Sequence, residues 1–301
     1  MKDVLYQYYG MTMIGSIKIT SRVFKIKTSK DQYIVKITKK KDIEKNYEMI
    51  EAFHLKCFIQ IIKNKYHHIL TPYQNEYLYL MPCVENNHGL LQEMKIKFYF
   101  ETLAYLHSQS FYYTKINQDY FEKLYQDILS IIRERELFYE KMIEKCETVY
   151  YRSPSEWMFI MNYYRIHESL QYAKDYLKQY IEKTKNYSQI RVCLNYKHFD
   201  YDHISLKEKI FISLDSICID LPIYDLFDMY QKIPDILFDL DCFSQYYFQK
   251  VDLLEDEKLL LCCLMSITPI IYFEKDEIEN IIKLSRLLYY LDSVNHFIEQ
   301  I

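Results

Sequence analysis

The sequence contains few of the residues that most often interrupt helices and strands. Its 301 residues include 3 glycines and 6 prolines. Because these residues mark turns and breaks, their scarcity predicts long helices and few irregular loops. Aromatic residues are abundant instead, with 33 tyrosines and 17 phenylalanines beside a single tryptophan. Half of the residues are hydrophobic, which is enough to build a large core in one or two domains.

Patterns typical of secreted, membrane-spanning and nucleic-acid-binding proteins are also missing. The eight cysteines form no C-x-x-C pair and lie mostly in apolar stretches, which favours buried free thiols over disulfides or a zinc site. The longest apolar run, near 259–267, is shorter than the roughly 18 residues of a membrane helix, and the N-terminus lacks the apolar core of a signal peptide. A formal net charge of -4 shows no basic excess. We therefore predict a soluble, cytoplasmic protein that binds neither nucleic acid nor membranes.

The N-terminal part of the chain has a strand-like pattern. Residues 17–39 alternate apolar and polar side chains around a Ser-Lys-Asp turn, which predicts strands with one buried face. Asp42 is the expected cap of a helix over 43–62. Two further strand-like segments, HHILTPY and EYLYLMPCV, follow this helix.

After Gly89 the pattern becomes helical. Apolar residues recur at helical spacing over 93–109 and again over 119–151. Ser153, Pro154 and Glu156 then predict the start of a helix that carries Trp157 and runs to about Tyr163, because such a serine and glutamate cap the first turn reciprocally. A last helix is predicted over 276–301, with a packing face formed by Ile278, Ile281, Ile282, Leu284 and Leu288.

The element order predicts an α+β protein with two lobes. Residues 1–84 are expected to form a small N-terminal lobe with an antiparallel sheet and one helix, and 85–301 a larger, mainly helical lobe. The stretch RVCLNYKHFDYDHISLKEKIFISLDSICIDLPIYD, over 191–225, interrupts the helices of the second lobe. It predicts two short strands around a turn at 207–209.

Several segments carry a resemblance to a known family. YIVKITK, LYLMPCV and LAYLHSQ are similar to its phosphate-binding strand, hinge strand and helix end, and IDLPIYDLFDMYQK to the segment after its metal-binding strand. The chain resembles the aminoglycoside-phosphotransferase and choline-kinase branch of the protein-kinase-like fold, and within it the spore-coat kinase-like proteins. This resemblance implies a bilobal kinase-like fold and extends over most of the chain.

The resemblance also implies roles for residues of the first lobe. Lys36 would hold nucleotide phosphates, with Glu48 or Glu51 as its helix partner, and Met81 and Cys83 would line the nucleotide pocket and hinge. Without the resemblance, Lys36 is more often interpreted as an exposed strand lysine.

The catalytic motifs depart from the family pattern. The H-G-D-x-x-x-x-N loop falls on 195–203, with Tyr196 and His198 at the histidine and aspartate positions and His203 at the asparagine position. In the metal-binding strand over 210–216, Ser213 stands at the aspartate position. Phosphoryl transfer needs magnesium held by an Asp and an Asn, and an acceptor for the hydroxyl proton. The resemblance therefore implies a pseudokinase that binds a protein or small ligand in the interlobe cleft, with a possible place in the spore coat or at the forespore surface.

Two alternatives remain from the sequence. The first is an active small-molecule kinase that uses ATP and magnesium, with His198 as base and Asp215 as a shifted metal ligand. The second is a zinc or manganese enzyme built on His198, Asp200, Asp202 and His203, although these residues are compressed into one loop. Asp200, Asp202 and Asp215 are thus weak metal candidates, and no cofactor is predicted in the leading hypothesis.

Overall fold

The chain divides into two structural units. The computed structural model describes residues 1–84, 92–197, 199–232 and 240–300. The first unit comprises Met1–Ser110 and Tyr196–Cys218, and the second comprises Phe111–Asn195 and Ile219–Ile301. The chain therefore leaves the first unit after Ser110 and returns to it at Tyr196. The division into functional lobes at residue 84 stays a prediction.

The helices and strands follow one another along the chain in a β-rich and then an α-rich order. The elements are α1 (Lys2–Tyr9), β1 (Met13–Lys18), β2 (Val23–Thr28), β3 (Gln32–Thr38), α2 (Asp42–Ala52), β4 (Thr71–Tyr73), β5 (Glu76–Pro82), α3 (Gln92–Ser110), β6 (Tyr112–Lys115), α4 (Tyr120–Thr148), α5 (Pro154–Thr184), β7 (Gln189–Asn195), β8 (Ile204–Ser205), β9 (Ile210–Phe211), β10 (Cys218–Asp220), α6 (Ile223–Tyr230), α7 (Leu240–Phe248), α8 (Glu255–Ser266) and α9 (Glu277–Gln300). A 3-10 turn, Tyr201–His203, precedes β8. The α+β prediction is confirmed.

The first unit is organised by a five-stranded antiparallel sheet in the order β1-β2-β3-β5-β4. One face of the sheet packs with α1 in a core of Leu5, Ile26, Val35, Ile37, Leu78 and Leu80. Successive residues of a strand point to opposite faces, so burying Val35 and Ile37 places Lys36 on the other face. The alternation over 17–39 therefore becomes strands, as predicted, and the Ser-Lys-Asp turn joins β2 to β3.

Helix α2 is shorter than predicted. It ends at Ala52 instead of continuing to residue 62, and His54 adopts a left-handed backbone with φ 53°. Beyond it, Phe58 and Ile62 form β-bridges with Phe211 and Leu80. The apolar residues after Ala52 thus pair in extended chain, because tertiary pairing overrides a short periodic pattern. Asp42 is also not the cap, since the N-cap is Lys41, whose side chain forms no capping hydrogen bond.

The second unit is built on long helices beside a small sheet in the order β10-β7-β6. The predicted capping box at the start of α5 is confirmed, with the Ser153 hydroxyl accepting from the amide of Glu156 and the Glu156 carboxylate accepting from the amide of Ser153. The helix does not end near Tyr163 but continues to Thr184. No glycine or proline interrupts 155–184, so nothing local stops the helix.

Two other sequence predictions are corrected by the burial pattern. In α9, Leu284 and Leu288 are buried as predicted, but Ile278 and Ile282 are exposed. All eight cysteines are free thiols, yet Cys242 is exposed instead of buried. No helix in the described part of the chain is both long and apolar enough to span a membrane.

Glu277, the first residue of α9, ties that helix to the start of α5. Its carboxylate accepts hydrogen bonds from the backbone amide of Ser155 at 2.6 Å and from the Ser155 hydroxyl at 3.0 Å. Burial alone would raise the pKa of Glu277, but the hydrogen bonds outweigh it and lower the pKa below its ordinary value of 4.5. The folded state therefore favours the charged carboxylate. The contact stabilises the protein above pH 4.5, the ordinary pKa, and this stabilisation is lost as the pH falls through the lowered pKa.

Substituting Glu277 is therefore expected to change the acid limb of the stability profile. Glu277→Gln should have a smaller loss of unfolding free energy below about pH 4.5 than the native protein, because the titrating carboxylate is gone. Urea denaturation across an acidic pH series measures this, with Glu279→Gln on the exposed side of the same helix as the matched control. An equal loss of unfolding free energy at acidic pH in Glu277→Gln and in the native protein would contradict the stabilising role of the Glu277 carboxylate.

Candidate functional site

A cavity of about 1180 Å³ lies within the first unit, against the face of the sheet opposite the α1 core. It is large enough for a cofactor-sized ligand. Its walls come from Ile19, Thr20 and the strands β2 and β3, from Ile59 and the end of β5, and from the segment from 200 to 213. The lining residues that bear on its chemistry are Lys25, Lys36, Met81, Cys83, Asp200, Asp202, His203 and Ser213.

Lys36 forms an ion pair with Asp215 at this site. Its ammonium donates to Asp215 Oδ2, and both side chains are mostly shielded from solvent. A charge-assisted hydrogen bond of this kind is stronger than one between neutral groups. The pair connects the middle of the sheet to the end of the segment that holds the predicted catalytic positions.

Two further groups hold Asp215. The Tyr79 hydroxyl donates to Asp215 Oδ1 at 3.4 Å, and Lys40 Nζ donates to the backbone carbonyl of Asp215 at 2.8 Å. Burial, and next the charge of Asp215, raise the pKa of Tyr79, which keeps its hydroxyl protonated as a donor. Both carboxylate oxygens of Asp215 therefore accept hydrogen bonds from the protein itself.

The predicted helix partners of Lys36 lie elsewhere. Glu51 is ion-paired with Lys63, at 2.8 and 2.9 Å, and Glu48 is exposed on α2. Among the described residues the ion pair of Lys36 is with Asp215, so the expectation of a Glu48 or Glu51 partner is wrong.

Met81 and Cys83 lie on the cavity wall at the end of β5. Met81 is buried and stands opposite Ile34 in the antiparallel register. The backbone amide of Cys83 donates to the carbonyl of Gln32 at 3.3 Å. That amide is therefore already engaged with the neighbouring strand.

Tyr196 stands apart from the cavity lining, in an aromatic core. Its ring is buried and stacks on Phe211 with the centroids 4.2 Å apart and the planes at 17°. Tyr99 and Phe58 pack against the same two rings. Packing thus accounts for the side chain that stands at the predicted histidine position of the catalytic loop.

The segment after Tyr196 is held in place by backbone contacts. Asp200 Oδ1 accepts from the amide of Asp202 at 2.8 Å, and buried Lys95 donates to the carbonyl of Tyr201 at 2.5 Å. This presents Asp200, Asp202 and His203 to the cavity. His198, the predicted replacement for the catalytic aspartate, lies outside the described residues.

The residues present do not fit a magnesium site. Ser213 is buried and offers a neutral hydroxyl, which has no hydrogen-bond partner among the described residues. Magnesium prefers carboxylate and water oxygens, but the carboxylate of Asp215 is already held by Lys36 and Tyr79. Across the described residues, which exclude His198, no three His, Cys, Asp or Glu side chains are grouped closely enough to hold a metal ion.

Sequence reasoning missed three residues that shape the site. Tyr79, Lys40 and Lys95 carry no motif, and each acts through a contact that is distant in sequence. Tyr79 had one usable signal, since it lies directly opposite Lys36 in the β3–β5 register and cross-strand neighbours interact. Finding it required the strand pairing to be known first.

Comparison with solved structures extends to nearly the whole chain. An aminoglycoside phosphotransferase from Alicyclobacillus acidocaldarius superimposes with a TM-score of 0.67 at 10% identity, over 96% of this chain and 93% of that one. A spectinomycin phosphotransferase in complex with ADP and spectinomycin superimposes with a TM-score of 0.57 at 11% identity, over 100% of this chain and 98% of that one. The protein has the kinase-like fold of these phosphotransferases. A microcompartment-associated aminopropanol kinase shares this fold, with a TM-score of 0.51 at 9% identity over 99% of this chain and 97% of that one.

The likeness to these structures is one of fold. No protein-family model matches the chain, and no curated protein sequence does. The predicted bilobal kinase-like fold is nevertheless confirmed, with a small antiparallel sheet in the N-terminal part and a larger helical part after it.

Proposed function

We propose that this protein is a pseudokinase: a kinase-fold binding protein that takes a small anionic ligand, with a nucleotide as the first candidate, and does not transfer its phosphoryl group. The observation that carries the proposal is the engagement of Asp215 by Lys36 and Tyr79 beside the neutral Ser213. Phosphoryl transfer depends on metal ions that neutralise developing charge. The cavity keeps the space and the lysine of such a site, while Asp215 is held by Lys36 and Tyr79 and Ser213 offers only a neutral hydroxyl.

A nucleotide is the first ligand to test for two reasons. Lys25 and Lys36 line a cavity of sufficient volume and can each donate to a phosphate oxygen, while the carboxylates of Asp31, Asp200 and Asp202 line the same cavity. The spectinomycin phosphotransferase of the same fold has been solved with ADP and also bound to AMP. The resemblance to spore-coat kinase-like proteins makes the spore coat or forespore surface the first place to look for a protein partner.

The test is to compare ADP and ATP binding with and without magnesium and to measure phosphate release. We expect a thermal shift with nucleotide that is the same in magnesium and in EDTA, and no turnover above the buffer rate. Lys36→Ala should weaken binding by about tenfold, because one charge-assisted hydrogen bond to phosphate is lost. Lys63→Ala, which removes an exposed lysine of the same unit paired with Glu51, is the matched control.

Asp215→Asn separates the proposal from an active kinase. If Asp215 only competes with the ligand for Lys36, its neutralisation should tighten nucleotide binding. If Asp215 is instead a shifted metal ligand, the same variant abolishes a magnesium-dependent turnover. Such turnover in the native protein, lost in Asp215→Asn or His198→Ala, would overturn the proposal.

A further inference from the structure

Helix α5 exposes a stripe of large side chains in the second unit. Trp157, Met161 and Tyr164 lie four and three residues apart, so they share one face of the helix, and Glu168 and Tyr172 continue the same face. We call these five residues the α5 stripe. The turn before the helix adds Tyr150 and Tyr151. The six large apolar side chains among these residues are between 45% and 87% exposed.

An exposed surface of this composition and size is typical of an interface. Tyr, Trp, Met and Arg are enriched where proteins associate, and Trp and Tyr dominate binding energies. Six such side chains, each able to bury about 150–250 Å² and roughly two-thirds exposed, amount to about 800 Å², close to what one partner contributes to a standard interface. The surface is therefore large enough to support a stable dimer.

The charges at the ends of the stripe indicate what covers it. Arg152, before the helix, lies over the Trp157 ring at 5.0 Å, while the Glu168 carboxylate lies beyond Tyr164 and accepts from the Tyr172 hydroxyl at 3.0 Å. Arg152 thus supplies a positive charge near one end of the stripe, and Glu168 a negative charge toward the other. A parallel contact between two copies would bring like charges together, whereas an antiparallel contact pairs opposite ones.

We propose that the α5 stripe binds the same stripe of a second copy, in an antiparallel contact with its two-fold axis at Met161. The spacing is self-complementary about that position. Met161 meets Met161 of the second copy, Trp157 meets Tyr164, and Arg152 meets Glu168, because each of these pairs is centred near residue 161. An isologous dimer requires this property, that the same patch complements itself under a two-fold rotation.

The oligomeric state tests the proposal directly. Light scattering after size exclusion should give the native protein twice the mass of one chain, and Met161→Asp should give a monomer, because two carboxylates would face each other at the axis. Ile14→Asp, at an exposed apolar position of β1 in the first unit, is the matched control and should remain dimeric. A monomeric native protein, or a dimer unaffected by Met161→Asp, would overturn the proposal.

Two further variants test the antiparallel geometry. Glu168→Arg should weaken the dimer by about tenfold, and the double variant Arg152→Glu, Glu168→Arg should restore it. Since Arg152 also donates to the carbonyls of Cys146 and Glu147, a cross-link avoids any dependence on this residue. Met161→Cys should form an intermolecular disulfide when an added thiol oxidant removes two electrons and two protons from the thiol pair. Cross-linking no greater than in the native protein and in Ile14→Cys would exclude the Met161 axis.

Discussion

Replacing Glu257 by alanine is expected to lower the free energy of unfolding by about 3–5 kcal/mol, since it leaves a mostly buried guanidinium without its counter-charge. Glu257 is buried on α8, and its carboxylate accepts from Nε of Arg191 at 2.9 Å and from a terminal nitrogen of the same side chain. Its carboxylate also accepts from the amide of Leu254, at the start of the helix, at 2.9 Å. The substitution therefore removes an ion-pair partner and a helix cap together.

Urea denaturation of the native protein and three variants measures this effect. Glu255→Ala, two residues away in a pair with Lys258 on the solvent side, is the control and should change the stability by less than about 0.5 kcal/mol. The double variant Arg191→Met, Glu257→Met should recover much of the loss, because apolar residues of similar volume often replace a buried pair at little cost. A loss below about 1 kcal/mol in Glu257→Ala would show that the pair is effectively solvated.

Replacing Phe211 by alanine should destabilise the first unit by about 3–5 kcal/mol, the range for emptying a buried aromatic site. Its ring is fully buried and contacts Phe58, Phe98, Tyr99 and Tyr196, with centroid separations from 4.2 to 5.9 Å. The backbone of Phe211 also pairs with the extended segment 57–59, its carbonyl accepting from the amide of Ile59 and its amide donating to the carbonyl of Cys57. Loss of the ring would loosen the segment that carries Ser213 and Asp215.

The matched control for Phe211 is Tyr105→Ala, which removes an exposed aromatic ring from α3. Its expected effect is within about 0.5 kcal/mol, as for most surface substitutions. The loss of unfolding free energy in Phe211→Leu should fall between those of Phe211→Ala and Tyr105→Ala, because leucine keeps part of the side-chain volume. Native-state hydrogen exchange on β9 and on the extended chain at 57–59 would localise the effect, and an equal loss in Tyr105→Ala would argue against a specific role of the aromatic core.

The predictions from sequence succeeded where the signal was local. The capping box at Ser153 and Glu156 was recognised because both partners lie within one helical turn. The side of β3 that carries Lys36 followed from strict alternation with Val35 and Ile37. Such features depend on neighbours in the chain, and a single sequence contains all of that information.

The failures involve partners that are distant in the sequence. The apolar residues after Ala52 have a helical spacing, yet Phe58 and Ile62 are extended because their pairing partners are Phe211 and Leu80. Lys36 was assigned a partner on the nearest helix, whereas its partner is 179 residues away. A periodic pattern indicates which residues become buried, but it does not indicate which strand or side chain they pack against or pair with.

The return of the chain to the first unit at Tyr196 has a consequence for the order of folding. Segment 1–110 contains the whole five-stranded sheet, but Phe211 and Asp215 follow only after the second unit's segment 111–195 has been synthesised. The aromatic core and the Lys36–Asp215 pair therefore close a long loop, which makes them late, high-contact-order steps. A nascent chain shorter than about 215 residues exposes the unfilled side of the sheet, and chaperones would engage the protein during that interval.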